Sequence, residues 1–266
     1  MNKQKIMPFF PLSAHSVLFS HGKTMIISGH AIFLFVDINM RKNSNFNIIL
    51  DKELKAEKVI ISIFASGRTT STIFFEYNQN NCKNVEITLR AARYAQLFFN
   101  FFIHDTKELK KIVSAYPYEH SNISIFGSYM AQATQKITLE TYQYHKAKNS
   151  SSEVKIHGIS AGNAVINHIG YLEIEKEAIE TKAHQTSKHI ALTKTAKIYA
   201  KPILNVLNNK VQCSHASAIG QISDEQLFYF FARGILKRDA MKLLLESFIN
   251  HTFSSYDLDY IYKKSR

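Results

Sequence analysis

A chain of 266 residues, 45% hydrophobic and 20% charged, has enough apolar side chain for a core and too little charge for a disordered polymer. Its net charge of +12 would suit a nucleic-acid binder, but the lysines are scattered and no basic block alternates with aromatic residues, so nucleic-acid binding is not expected. No apolar run approaches the roughly 18 residues of a membrane span, and two cysteines, Cys82 and Cys213, cannot build a disulfide framework. A reducing, cytoplasmic setting is the simplest expectation.

At the N-terminus Lys3 and Lys5 precede Ile6, Met7, Phe9 and Phe10, as in a signal peptide. Pro8, Pro11 and Ser13-Ala14-His15-Ser16 interrupt the apolar stretch, so residues 1–21 are read as an irregular arm instead. From residue 22 to 221 the chain alternates apolar and polar residues with period two, the mark of half-buried strands. The pattern runs through Val59–Phe64, Thr72–Tyr77, Val85–Leu89, Ile123–Phe126 and Ile137–Tyr144, then Val154–Ile156, Ile169–Ile174 and Ile198–Val206. The stretch from Glu86 to Ile103 reads as two strands around an Ala-rich connection.

A sandwich or barrel would need hairpin signals such as Asn-Gly or Asp-Gly, and there are none. A solenoid needs no tight hairpins, and similar segments recur around Ile156, Ile174 and Ile198, roughly twenty residues apart. The expected fold is an all-β body over 22–221, a parallel β-helix, followed by a short α-helical segment over 222–266. In that segment Ser223 and Gln226 stand at capping-box spacing. Leu227, Phe228 and Phe231 share a helical face, and Arg233-Gly234 ends the helix with a glycine suited to the left-handed C-cap. A second helix runs from about Lys237 to Thr252, with Ala240, Leu243, Leu244, Ser247 and Phe248 at amphipathic spacing.

The last third carries ordered motifs: Lys182-Ala-His-Gln-Thr-Ser-Lys188, Ala196-Lys-Ile-Tyr-Ala-Lys-Pro202, Val211-Gln-Cys-Ser-His-Ala-Ser-Ala-Ile-Gly220, Asp224-Glu-Gln-Leu-Phe-Tyr229 and Ala232-Arg-Gly-Ile235. In this order and spacing they resemble the SufB/SufD family of iron–sulfur cluster assembly proteins, nearer its SufD branch. A SufB-like role is the alternative, disfavoured by the single cysteine in this half. The resemblance implies a right-handed β-helix and a non-catalytic scaffold subunit. It also implies pairing with SufB through the β-helix and binding of the SufC ATPase through the C-terminal helices. Whether the seam partner is SufB or a second copy of this chain stays open. There is no P-loop, so ATP hydrolysis falls to a partner. Two departures stand out. Family members usually carry a helical region before the β-helix, and Ala216-Ser217-Ala218 replaces a common Gly-Ala-Thr.

Cys213 and His215 are two apart in an expected strand, so they share a face about 7 Å apart. A thiolate and an imidazole are good iron or zinc ligands, but two ligands do not complete a site. The resemblance places His215 at the contact with SufB. It implies no stably bound cofactor on this chain alone, and a transient iron–sulfur cluster or iron at the interface. The plainer reading makes Cys213 a small buried hydrophobe and His215 an interface hydrogen-bonder. Leu227, Phe228, Arg233 and Gly234 are the candidate partner-docking residues; the plainer reading has the helices capping the end of the solenoid. His157, His168, His184 and His189 lack ligand spacing and are read as solvated or packed, and Cys82 as an exposed spectator thiol. A β-helix polysaccharide enzyme is the reading from another class. It needs clustered carboxylates, and only Glu173, Glu175, Glu177 and Glu180 form an acidic run.

Overall fold

The computed structural model describes residues 15–21, 24–50, 54–77, 82–104 and 106–253. Among the described residues fifteen strands are followed by two helices. The strands are β1 (His15–His21), β2 (Thr24–Met40), β3 (Ser44–Leu50), β4 (Lys55–Ala65), β5 (Thr70–Tyr77), β6 (Asn84–Ala91), β7 (Gln96–Ile103) and β8 (Glu108–Pro117). They continue as β9 (Asn122–Ala131), β10 (Lys136–His145), β11 (Ser151–Ser160), β12 (Val165–Ile174), β13 (Lys182–Ala191), β14 (Lys197–Val206) and β15 (Gln212–Gly220). Helix α1 spans Asp224–Phe231 and α2 spans Lys237–Asn250. The Ala-rich connection expected near Ala92 falls between β6 and β7.

Even-numbered strands stack in one parallel ladder, from β4 to β14, and odd-numbered strands in another, from β3 to β15. The long β2 joins the ladders, pairing with β3 through Thr24–Ile27 and with β4 through His30–Met40. Each turn of the chain therefore lays one strand on each ladder, the arrangement of a two-sheet parallel β-solenoid. The repeat is longer than the roughly twenty residues expected, because a coil holds two strands and two corners. Lys58, Asn84 and Lys110 stack in steps of 26, and Ser151, Lys182 and Gln212 in steps of 31 and 30. The arm expected over residues 1–21 is in part a strand: β1 pairs antiparallel with β2. Residues 1–14 lie outside the described residues.

The absence of hairpin signals has a structural counterpart in the corners. Corner residues take a left-handed conformation: Arg68, Tyr94, His120, Asn149 and Glu180 at the corners from an even to an odd strand, and Ala133 and Gly162 at the opposite corners of the middle coils. These residues stack with their neighbours. Tyr94 lies on His120 with centroids 5.1 Å apart, and Arg93 sits over Tyr94 at 5.1 Å.

Alternation sends every second side chain inward. In the first coils these are Ile, Val, Leu and Phe, for example Val85, Ile87 and Leu89 of β6 and Leu97, Phe99 and Phe101 of β7. In the last coils the interior becomes polar, with Thr141, Gln143 and His145 in β10, His168 in β12, and Gln185, Ser187 and His189 in β13 all buried. Two glycines make room for this layer. A Cβ on Gly170 would stand 1.3 Å from the Gln185 amide nitrogen, and one on Gly158 would meet the Tyr129 ring at 2.5 Å and His189 Nδ1 at 2.7 Å. Tyr129 thereby reaches His189 Nδ1 across the gap at 3.1 Å.

The helices do not cap the solenoid end. Helix α2 and the turn after it lie on the outer face of the odd ladder, with Ile249 and Phe253 buried against Phe74 and Ile159 and flanked by Phe102, Phe126 and Leu192. That face supplies an apolar patch drawn from several successive coils. The capping box is present: Ser223 Oγ accepts from the amide of Gln226, and the Gln226 side chain accepts from the amide of Ser223. Such a cap contributes about 1 kcal/mol.

Candidate functional site

The last coil is built like the others but left uncovered. Strand β15 pairs with β13 in register, Ala183 against Cys213, Gln185 against His215, Ser187 against Ser217 and His189 against Ile219. The four β13 residues are buried interior positions, so Cys213, His215, Ser217 and Ile219 continue the interior face one strand further. Ser187 Oγ donates to Ser217 Oγ at 2.9 Å, tying the two layers together. Among the described residues no further strand follows β14 or β15 in either ladder. Ile219 is 51% and Leu204 of β14 37% exposed on what is elsewhere the interior side. Cys213 is half-buried with a free thiol, and His215 is exposed. The pair expected from spacing alone thus stands on one face at the open end of the solenoid. Among the described residues no group of three or more His, Cys, Asp or Glu is arranged to hold a metal ion, so Cys213 and His215 supply at most two donors.

The other histidines separate by parity. His184 faces outward, its Nδ1 2.8 Å from Ser214 Oγ. His168 and His189 face each other inside, with centroids 5.6 Å apart. His145 lies between Ser150 and Ser152. Burial pushes His145 and His189 down to about 4 and His168 to about 3, with repulsion from His189 adding to the effect at His168 and from His157 at His189. Cys82 is fully buried rather than exposed, its thiol donating to the Asn84 carbonyl at 3.1 Å, and burial raises its pKa. Glu175, in the acidic run, is tied to Lys146 at 2.8 Å.

On the helical arm the four candidate docking residues differ. Leu227 is buried, whereas Phe228 is 69% exposed. Tyr229, Phe231, Leu236 and Leu243 are also exposed, giving the arm an uncovered apolar surface. The Arg233 guanidinium lies 3.6 Å over the Tyr229 ring, and Gly234, at φ 75°, makes the turn between the helices. Sequence reading missed His157. It is outward-facing yet buried, because α2 covers it. Its one signal was the presence of Phe74, Phe102 and Phe126 at outward-facing positions of their strands.

A two-sheet parallel solenoid with an uncovered last coil and a helical arm folded back on its flank is the class of protein defined here. The family described as SUF system FeS cluster assembly, SufBD core domain, matches residues 28–248, and the chain belongs to that family. It is 36% identical over 87 residues to the iron–sulfur cluster assembly protein SufD of Escherichia coli, covering 33% of this chain and 20% of that protein. It is 30% identical over 120 residues to SufD of Bacillus subtilis, covering 44% and 26%. Protein ABCI7, chloroplastic, of Arabidopsis thaliana is 37% identical over 89 residues, covering 34% and 18%. Within the family the chain is SufD-like, as its C-terminal motifs indicated. These matches span about a fifth to a quarter of the relatives' lengths.

Proposed function

We propose that the chain is a non-catalytic scaffold subunit of an SUF assembly complex. It pairs through β14 and β15 with the solenoid of SufB and carries the SufC ATPase on its helical arm, and iron–sulfur cluster is its cargo. The observation that carries this reading is the open last coil. Edge strands with backbone groups open to pairing, and interior-side Leu204 and Ile219 left exposed, are a template for another chain. His215 and Cys213 stand on that face, where a partner would add the missing ligands. Two free thiols fit a reducing cytoplasm, and among the described residues no helix is long and apolar enough to cross a membrane. A second copy of this chain is the competing occupant of the same seam.

Coexpression with SufB and SufC followed by mass determination distinguishes a heteromeric complex from a self-pair. In the complex, His215→Ala is expected to lower bound iron and sulfide several-fold without changing the melting temperature, since the exposed imidazole holds no interior contact of this chain. Unchanged iron and sulfide would remove His215 from the site.

A further inference from the structure

The carboxyl end of α2 is held to the solenoid by polar contacts at a single place. A helix leaves its last carbonyls without partners and its C-terminus partly negative, and the last turn of α2 contains no basic residue of its own. The solenoid supplies the donors. His157 Nδ1 lies 2.7 Å from the Phe248 carbonyl; since a carbonyl only accepts, the proton is on that nitrogen. The Lys155 ammonium donates to the His251 carbonyl at the C-cap and lies 3.4 Å from His251 Nδ1. Ser128 Oγ donates to Thr252 Oγ1 at 2.8 Å, with both residues buried. The Phe248 ring stacks on the His157 imidazole with centroids 4.5 Å apart.

These donors sit on adjacent strands in register. Ser128 of β9 is opposite His157 of β11, and Lys155 is two residues back on the same outer face. The apolar contacts of Ile249 and Phe253 hold the helix down, but apolar contact is non-directional and leaves sliding and rolling over the apolar patch unopposed. Directional hydrogen bonds to the Phe248 and His251 carbonyls and to the Thr252 hydroxyl fix both. A buried serine and imidazole cost free energy unless bonded, and their bonds to Thr252 and Phe248 exist only with the arm in place. Helix α1, with exposed Phe228 and Phe231, packs on α2, so its direction depends on where α2 is fixed.

We propose that Ser128, Lys155 and His157 are positioning residues that lock α2 to the flank of the solenoid and so orient α1 for its partner. This rests on the reading of the arm as the docking site for the SufC ATPase, and it names what sets the geometry of that docking.

The test uses the full chain and purified SufC. Three quantities are read for Lys155→Met, His157→Phe and the conservative Lys155→Arg: SufC affinity, amide exchange across residues 237–253, and the unfolding midpoint of the solenoid. Phenylalanine at 157 keeps the stack on Phe248 and removes only the donor. Expected for K155M and H157F are affinity weakened by about 10-fold, the size of losing one charge-assisted or buried hydrogen bond, faster exchange in α2, and an unmoved midpoint. K155R should bind as the parent does. Unchanged affinity with faster exchange, unchanged exchange, or a midpoint that falls in step with affinity would each overturn the proposal. A chain truncated before Asp224 separates the two readings. If it still binds SufC, the docking reading fails and the positioning role with it. If it does not bind while K155M and H157F bind normally, only the positioning role fails.

Discussion

Lys111 sits where alternation demands an apolar side chain. It is fully buried in the solenoid interior, its ammonium nitrogen 3.9 Å and 4.1 Å from the ring centroids of Phe75 and Phe101, with no hydrogen-bond partner among the described residues. Burial drives its pKa well below that of an ordinary lysine. The aromatic faces favour the cation, but they do not replace water around it. Lys111→Met keeps length and volume and removes the stranded amine, so it is expected to stabilise the fold by about 1–3 kcal/mol, read as a higher urea midpoint. A destabilised variant would mean that the amine has a partner. His215 is the opposite case. Its position two residues after Cys213 could be read from sequence, whereas its exposure follows from the stacking stopping at β15.

At the scale of elements, strands β10 to β13 carry four buried imidazoles, those of His145, His157, His168 and His189. Their pKa values lie at about 4, 4, 3 and 4, chiefly because burial disfavours the cation. In the unfolded chain an imidazole titrates near 6.5. Below that pH the unfolded state binds more protons than the folded one, so stability is full above about pH 6.5 and is lost progressively as pH falls toward 4. Each unit of separation corresponds to about 1.4 kcal/mol per ring. The melting temperature is therefore expected to fall steeply between pH 6.5 and 4, and His168→Leu should flatten that fall. A parent profile as flat as that of the variant would contradict neutral interior imidazoles. The corners show the same division between local and stacked forces. Ala133 holds φ 53° without a side chain suited to it, and it persists because the Asn163 amide donates to its carbonyl from the next coil at 2.7 Å.

For the whole molecule, the two ends of the solenoid differ. At the start β1 covers part of β2 by antiparallel pairing, whereas β14 and β15 expose Leu204 and Ile219 on the interior side. If that end meets SufB, Leu204→Glu and Ile219→Glu should abolish pairing in analytical ultracentrifugation while leaving the melting temperature of the isolated chain within about 1 °C, since exposed positions contribute little to the monomer. Retained pairing would move the seam elsewhere on the surface.

The sequence by itself determined the strand-rich body from residue 22 on, the two helices with their cap and turn, and the family, because period-two and period-3.6 patterns and short ordered motifs are local properties. It also put Cys213 and His215 on one face, since parity within a strand needs no knowledge of neighbours. Only the tertiary structure decided the length of the coil, which depends on two corners whose left-handed residues are mostly not glycine. The same holds for Cys82, whose thiol is buried although its surroundings in sequence are polar. His157 looked isolated because its partners, Phe248 and His251, are more than ninety residues away along the chain. The flank position of α2 escaped for a related reason: an outer apolar patch becomes visible only when Phe74, Phe102 and Phe126 are brought together on neighbouring strands of the odd ladder. Contacts across coils are set by register, and register is a property of the assembled stack.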